Sequence, residues 1–266
     1  MLEAALFGAL AQSALVVGAL LVWKFPKLKR PVIVGGLMAF GAGAVISAVA
    51  IDLVAVSYDE AGAGPTALGI GIGCLLYFGI IALLERRGEV EHPAEVIEEI
   101  EGVPSPAVHG EGGHGHGASK KEARNLTIGM VIDGVPESIA VGLTLHTATV
   151  GVSAALVGSI FISAIPEAIG IAAALLAGGL VMGKILIRFS LIVILGAIFA
   201  AVGFGVMSQA SDSMQAIIQS IAAGALLVVV INEMIPIAVR SVKNWAGIIG
   251  AAGFVFSAGL TWAAGG

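Results

Sequence analysis

The sequence predicts an all-α protein, a polytopic membrane helix bundle of eight transmembrane helices with both termini outside the cell. Hydrophobic residues make up 58% of the 266 residues and charged residues only 12%, and the mean hydropathy is +1.03. A soluble domain of this size would carry charge over its whole surface. Here apolar runs follow one another, and each run of about 20 residues is long enough to cross roughly 30 Å of hydrocarbon.

Eight apolar runs can be distinguished in order along the chain, and we number them spans one to eight. The first run continues for about 20 residues without a basic start, so we expect a span rather than a cleaved signal. The predicted spans cover residues 3–23, 31–57, 64–84, 123–146, 150–174, 184–208, 214–239 and 244–264.

The positive charges give the orientation of these spans. With eight spans every Lys and Arg lies on one side, and the opposite loops hold Asp59, Glu60, His146 and Asp212 without a base. The positive-inside rule makes the basic side cytoplasmic, so we expect a protein of the plasma membrane (cell inner membrane) with outward-facing termini. The 13 basic residues are Lys24, Lys27, Lys29, Arg30, Arg86, Arg87, Lys120, Lys121, Arg124, Lys184, Arg188, Arg240 and Lys243.

One long connection divides this single membrane domain into spans one to three, residues 1–84, and spans four to eight, residues 123–266. The connecting segment 85–122 is rich in Glu, Gly, Pro and His and cannot bury a core, so we predict a flexible cytoplasmic loop. Its histidines could capture a metal ion, or they could be plain spacers of a disordered loop. These histidines are His109, His114 and His116.

A faint internal repeat links spans two and seven. The segment AGAVISAVAID, residues 42–52, aligns with AGALLVVVINE, residues 223–233: both begin with Ala-Gly-Ala, and both carry an acid nine residues after the glycine. The two spans run in opposite directions, so the pair would be an inverted-topology repeat of the kind that many transporters use. Similarity between Ala/Gly-rich apolar helices also arises by chance, and both interpretations stay open.

Carboxylates inside the predicted spans are the main sign of function. No Lys or Arg lies deep in a span, and an unpaired carboxylate near the bilayer centre costs a few kcal/mol on insertion scales. Protons, water or bound cations must therefore compensate these charges. The five acids are Asp52, Asp133, Glu137, Glu167 and Glu233.

Spans four and five place such acids near the middle of the membrane. Asp133 and Glu137 are one helical turn apart and share a face of span four. They follow Arg124 by 9 and 13 residues, which places them about 14 to 20 Å along the helix axis. Span five repeats the pattern, with Ser163 four residues before Glu167.

Prolines stand beside both sets of acids. Pro136 and Pro166 each precede a glutamate, and each leaves a carbonyl one turn earlier without its amide partner. Carboxylates and freed carbonyls together make an oxygen-rich pocket that suits a divalent cation. The structural alternative is a simple proline kink, with a protonated glutamate that hydrogen-bonds to a neighbouring helix.

The motifs DGVPES, SAIPEA and NEMIP in spans four, five and seven resemble those of the ZIP family of divalent metal transporters. That family has eight spans, outward-facing termini, a variable cytoplasmic loop after span three that is often His-rich, and a metal site built from Pro-Glu motifs on spans four and five. The resemblance implies an inward transporter of a divalent cation and not an enzyme. It covers nearly the whole chain in architecture and only short stretches in motifs.

The family's motifs map onto this chain with substitutions. Asp133 stands where span four commonly has histidine, and Asn232 stands where span seven commonly has histidine before a glutamate. Every intramembrane imidazole is replaced, so the implied site is all-oxygen. Carboxylate and carbonyl sites favour Mn, Mg, Ca or ferrous iron, whereas Zn favours nitrogen and sulfur.

The polar residues and prolines inside the spans, taken together with the resemblance, give three groups of expected site residues. The metal ligands are Asp133, Glu137, Glu167 and, as a weaker oxygen ligand, Ser163. The transport pathway includes Asp52, Asn232 and Glu233. The helix-kinking prolines are Pro136, Pro166 and Pro236.

Other functions stay open from the residues alone. The acids could cycle protons in a proton-linked transporter of a small solute, or the chain could be a metal receptor that no longer transports. An intramembrane aspartic hydrolase would be expected to carry a Gly-x-Gly-Asp pattern, which the sequence lacks. The expected partners are the lipid bilayer and a divalent cation (Zn, Mn, Fe, Mg or Ca), with no nucleic acid and with a homodimer left open.

Overall fold

The computed structural model describes residues 1–87, 120–147, 150–177 and 179–265, and over these ranges the regular elements are all helical. The α-helices are Leu2–Gln12, Ala14–Lys24, Pro31–Ala48, Val56–Ala61, Ala63–Arg86, Lys120–Thr147, Val150–Ala177, Met182–Met207, Asp212–Val229, Ile235–Val242 and Trp245–Gly265. A short 3-10 helix forms Pro26–Lys29, and π-helical segments form Val49–Ala55 and Val230–Met234.

Within the described residues, eight helical stretches are long and apolar enough to cross a membrane. Each overlaps one predicted span, so the all-α class and the count of eight are confirmed, and we keep the numbers one to eight. Membrane insertion and the outward position of the termini stay predictions. The stretches are Leu2–Lys24, Pro31–Ala61, Ala63–Leu84, Thr127–Leu145, Leu156–Ala173, Met182–Met207, Ser213–Val242 and Trp245–Ala263.

Spans one, two and seven are each interrupted. The helix of span one breaks at Ser13, whose hydroxyl donates to the carbonyl oxygen of Leu10 over 2.6 Å. Spans two and seven each contain a π-helical segment, which is wider than an α-helical turn. Pro136 and Pro166 lie inside continuous helices, whereas Pro236 lies in the first turn after the π-helical segment of span seven.

The two π-helical segments fall on the two halves of the predicted repeat. Asp52 lies in the segment of span two, and Glu233 lies in that of span seven. Gly43 of span two packs against the backbone of span eight, and Gly224 of span seven packs against the backbone of span three, so closely that an added Cβ would collide at either position. The close contact between spans two and eight therefore matches the close contact between spans seven and three. An inverted repeat predicts this equivalence.

The spans differ in how far the protein encloses them. In span five 72% of the apolar stretch is buried in the protein, and in span four 67%. In spans three and eight the buried share is only 22%. Glycines let the enclosed helices approach closely: Gly18 of span one lies against the carbonyl of Ile165, and Gly142 of span four lies against that of Ala200. The acids of spans four and five therefore lie in the interior of the bundle.

Two contacts show which helix ends lie together. Arg188 of span six donates from Nη1 to Oγ1 of Thr127 at the start of span four, over 3.3 Å. Gly35 near the start of span two packs against Ser241 near the end of span seven. Both contacts join ends that the predicted topology assigns to the basic side.

Candidate functional site

The acids predicted from the sequence are mostly buried in the structure. Their exposed fractions are 1% for Asp52, 6% for Asp133, 8% for Glu137 and 6% for Glu233, and Glu167 is half-buried. A carboxylate removed from water must find hydrogen bonds, a proton or a cation. The surroundings of each acid therefore decide what it can do.

Asp133, Glu137, Glu167 and Glu233 form one acid cluster between spans four, five and seven. The carboxylate of Glu167 lies within electrostatic range of the other three, and that of Glu137 lies within range of Asp133. The two acids of span four reach the same region because a spacing of four residues puts them on one helical face. The charged groups that influence Glu167 in the described part of the chain are all acids, so each ionised carboxylate makes ionisation of the next one more costly.

Tyr77 of span three is a neighbour of the acid cluster that the sequence did not reveal. Its side chain is 4% exposed, and its hydroxyl donates to Oδ1 of Asp133. The same hydroxyl lies within electrostatic range of Glu167 and Glu233. A single tyrosine in an apolar span gives no periodic signal, and its partner is 56 residues away along the chain.

Gln12 of span one is the second neighbour that the sequence did not reveal. It is 2% exposed, and its Nε2 donates to Oε2 of Glu137 over 3.2 Å and to Oγ of Ser138 over 3.4 Å. Gly134 and Gly196 make room for this side chain, because a Cβ added at Gly196 would lie 2.5 Å from Cγ of Gln12. The one available signal was an amide in the middle of a mostly apolar span.

Asp52 does not join the acid cluster. Thr261 of span eight donates to its Oδ1 over 3.3 Å, and its Oδ2 has no hydrogen-bond partner among the residues that the structure describes. The carboxylates of the acid cluster are not among the groups that influence it. The Thr261 hydroxyl also lies within hydrogen-bond distance of the carbonyl of Ser257, and the Ser257 hydroxyl is hydrogen-bonded to that of Ser159 over 2.7 Å. Asp52 thus belongs to a separate polar contact that joins spans two, eight and five.

Ser163 and Asn232 lie in different surroundings. Ser163 is 2% exposed, its hydroxyl donates to the carbonyl of Ile160 over 2.8 Å, and its backbone packs against Gly41 of span two. Asn232 is exposed although the adjacent Glu233 is buried. Of the Asn-Glu pair in span seven, only the glutamate therefore enters the acid cluster.

The acid cluster is not a finished metal-binding group. Over the described residues, no set of three or more His, Cys, Asp and Glu side chains is placed to hold one metal ion. Two of the clustered carboxylates accept hydrogen bonds from neutral donors, namely Tyr77 and Gln12. To bind a metal ion, the clustered carboxylates would have to move closer together. The loop histidines His109, His114 and His116 lie outside the described residues.

Comparison with models of known protein families and with curated proteins gives no match to this chain. The acid cluster and the neutral donors around it are therefore the observations on which a function can be based.

Proposed function

We propose that this chain moves a divalent cation across the plasma membrane into the cytoplasm, in the manner of the ZIP family. The acid cluster is the observation that carries the proposal, because it gathers four carboxylates from spans four, five and seven inside the bundle. The helices around it are long and apolar enough to cross a bilayer. Both termini would then face outward, as the distribution of basic residues predicts.

Charge balance is the physical reason to propose a cation. Carboxylates gathered in a low-dielectric interior repel one another and lose hydration, at a cost of at least a few kcal/mol each on insertion scales. Tyr77 and Gln12 donate hydrogen bonds but carry no charge, so they orient two of the carboxylates without neutralising them. A divalent cation would offset most of the charge of three carboxylates and use their oxygens as ligands.

The ligands that we propose are Asp133, Glu137 and Glu167, with Ser163 as a weaker oxygen ligand. Glu233 lies within electrostatic range of Glu167, and we propose that it takes part in the same site. An all-oxygen ligand set favours Mn, Mg, Ca or ferrous iron over Zn.

Asp52 and Asn232 have a different role in this proposal. Both lie outside the acid cluster, one in a contact with span eight and the other exposed. We propose them as stations on the path to and from the site. Substitution of Asp52 would then slow transport without weakening cation binding.

Uptake into sealed liposomes tests the proposal. The purified protein is offered Zn, Mn, Fe, Cd, Mg and Ca in turn, and the wild type is compared with Glu137→Gln and Glu167→Gln. We expect uptake of at least one of these cations by the wild type and at least about a tenfold loss in each variant, because each removes a charged ligand. Glu3→Gln, which changes an exposed acid, is the matched control and should transport like the wild type.

Two results would contradict the proposal. Equal uptake by the wild type and both cluster variants for every cation would mean that transport does not use the acid cluster. Cation binding without uptake would instead indicate a receptor that does not transport.

A proton-linked transporter of a small solute is the second candidate. It is favoured by one observation, that the described residues contain no formed metal-binding group. The clustered acids would then exchange protons rather than metal ions. Proton flux into liposomes without divalent cations, followed with an enclosed pH-sensitive dye and lost in Glu137→Gln, would support this candidate.

A further inference from the structure

Tyr77 reaches the acid cluster from a helix that supplies no carboxylate of its own. Span three, Ala63–Leu84, contains no Asp or Glu, and Tyr77 is buried on the side that faces the cluster. Its hydroxyl donates to Asp133, which is one of the proposed ligands.

Backbone packing fixes the position of this hydroxyl. Gly73, Tyr77 and Ile81 are spaced by four residues and so share one face of span three. Gly73 lies so close to the carbonyl of Ile221 in span seven that a Cβ would collide there. Tyr77 and Ile81 pack with Val229, also of span seven. The ring is therefore held against span seven, and its hydroxyl meets Asp133 at a defined place.

A phenol and a cation make opposite use of the same carboxylate oxygen. The Tyr77 hydroxyl presents its hydrogen to Oδ1 of Asp133, and a metal ion that binds through this oxygen from the same side would compete for the same lone pair. The clustered acids do not converge into a metal-binding group among the described residues. A metal ion must therefore draw the carboxylates together, and movement of Asp133 toward the other acids would break its bond to Tyr77, whose ring is held against span seven.

We propose that Tyr77 competes with the substrate cation for Asp133. The hydrogen bond holds the carboxylate before the cation arrives, the cation displaces it, and the bond re-forms as the cation leaves. This step rests on the proposed function, since it requires Asp133 to be a ligand. Tyr77 is then a positioning residue that weakens binding enough for release, which a conducting site requires.

The phenol itself can report the displacement. The chain has two tyrosines, and the other one, Tyr58, is 56% exposed. The variant Tyr58→Phe therefore leaves Tyr77 as the single tyrosine, whose hydrogen bonding can be followed by ultraviolet resonance Raman spectroscopy during a titration with Mn²⁺. We expect the hydrogen-bond marker to change with the same midpoint as Mn²⁺ binding, measured in parallel by electron paramagnetic resonance. An unchanged marker while Mn²⁺ binds would overturn the proposal.

The affinity of Tyr77→Phe gives a second test. Removing the competing hydrogen bond should tighten Mn²⁺ binding by about tenfold, because a hydrogen bond to a charged group contributes on that scale. Tyr58→Phe is the matched control and should bind like the wild type. A purely structural role for Tyr77 would leave the affinity unchanged or lower it, and either result would overturn the proposal. If Tyr77→Phe does not fold, the spectroscopic titration decides alone.

The two proposals fail in different ways. If the wild type neither binds nor transports Mn²⁺ or any other cation of the panel, both the transport function and the competition are wrong. If the wild type transports Mn²⁺ but neither the Tyr77 marker nor the Tyr77→Phe affinity responds, only the competition is wrong.

Discussion

Three buried carboxylates of this protein each accept a hydrogen bond from a neutral donor on another span. The pairs are Glu137 with Gln12, Asp133 with Tyr77, and Asp52 with Thr261. Such donors satisfy part of the hydrogen-bonding capacity of a carboxylate and leave its charge in place. Each pair therefore orients an acid while keeping it available to a proton or a cation.

Replacement of Gln12 should show how much one such hydrogen-bonded pair contributes to the stability of the fold. Gln12→Met keeps a similar shape but removes the amide that donates to Glu137. A buried acceptor left without its donor costs about 1–3 kcal/mol, so we expect a lower midpoint of thermal unfolding in detergent. Gln209→Met, at an exposed turn, is the control: water can replace the bond from its amide to the carbonyl of Gly205, so the midpoint should fall less. Identical midpoints for both variants would contradict the buried contact.

Sequence reasoning predicted part of the acid cluster because some of its members lie on one helix. The two acids of span four share a face by spacing alone, and Glu167 was indicated by a second proline motif. Tyr77 and Gln12 could not be predicted, since their partners lie 56 and 125 residues away and packing decides which spans become neighbours. For the same reason Asp52 and Glu233, assigned together to the pathway, lie in separate surroundings.

At the scale of elements, spans two and seven join an acid to an irregular helix. A π-helical segment replaces the i→i+4 hydrogen-bond pattern by an i→i+5 pattern, and such segments recur at functional sites. Asp52 and Glu233 each lie within one. The candidate repeat in the sequence aligns these two positions with each other. It did not predict the π-helical geometry, because the apolar pattern around each acid is equally compatible with a regular α-helix.

Glycines of span three give a matched test of close helix packing. A Cβ at Gly73 would collide with the carbonyl of Ile221 in span seven, whereas a Cβ at Gly71 would meet nothing within 4 Å. We expect Gly73→Ala to lower the free energy of unfolding by about 1–3 kcal/mol through overpacking. Gly71→Ala should be neutral or stabilising by up to about 1 kcal/mol, since alanine is the better helix former. Thermal unfolding in detergent measures both, and equal losses would mean that the two helices are not packed as described.

At the scale of the whole molecule, the count of spans could be predicted because each needs only a long apolar run. How much of each span is buried in the protein could not be predicted in the same way. The apolar stretches of spans four and eight have the same mean hydropathy, 1.5, yet 67% of one and 22% of the other are buried. Hydropathy does not distinguish a helix that faces lipid from one that faces protein, because both surroundings are apolar.

The orientation in the membrane can be tested with single cysteines. Cys74 is the only native cysteine, so Cys74→Ser gives a background for Glu60→Cys and Lys27→Cys, both at exposed positions. If the basic side is cytoplasmic, a membrane-impermeant thiol reagent should label Glu60→Cys in intact cells and Lys27→Cys only after permeabilisation. The reverse pattern would invert the whole topology and place both termini inside.

In a bilayer, the shallow enclosure of span three would leave most of that helix in contact with lipid beside the acid cluster. Only 22% of the apolar stretch of this helix is buried in the protein. Tyr77 lies on its inner face, where the tyrosine hydroxyl donates to Asp133. A change in lipid thickness that tilts the helix against span seven would therefore alter the bond to Asp133. Cation affinity would then depend on the host membrane, and values measured in detergent and in thick or thin bilayers would differ in a graded way.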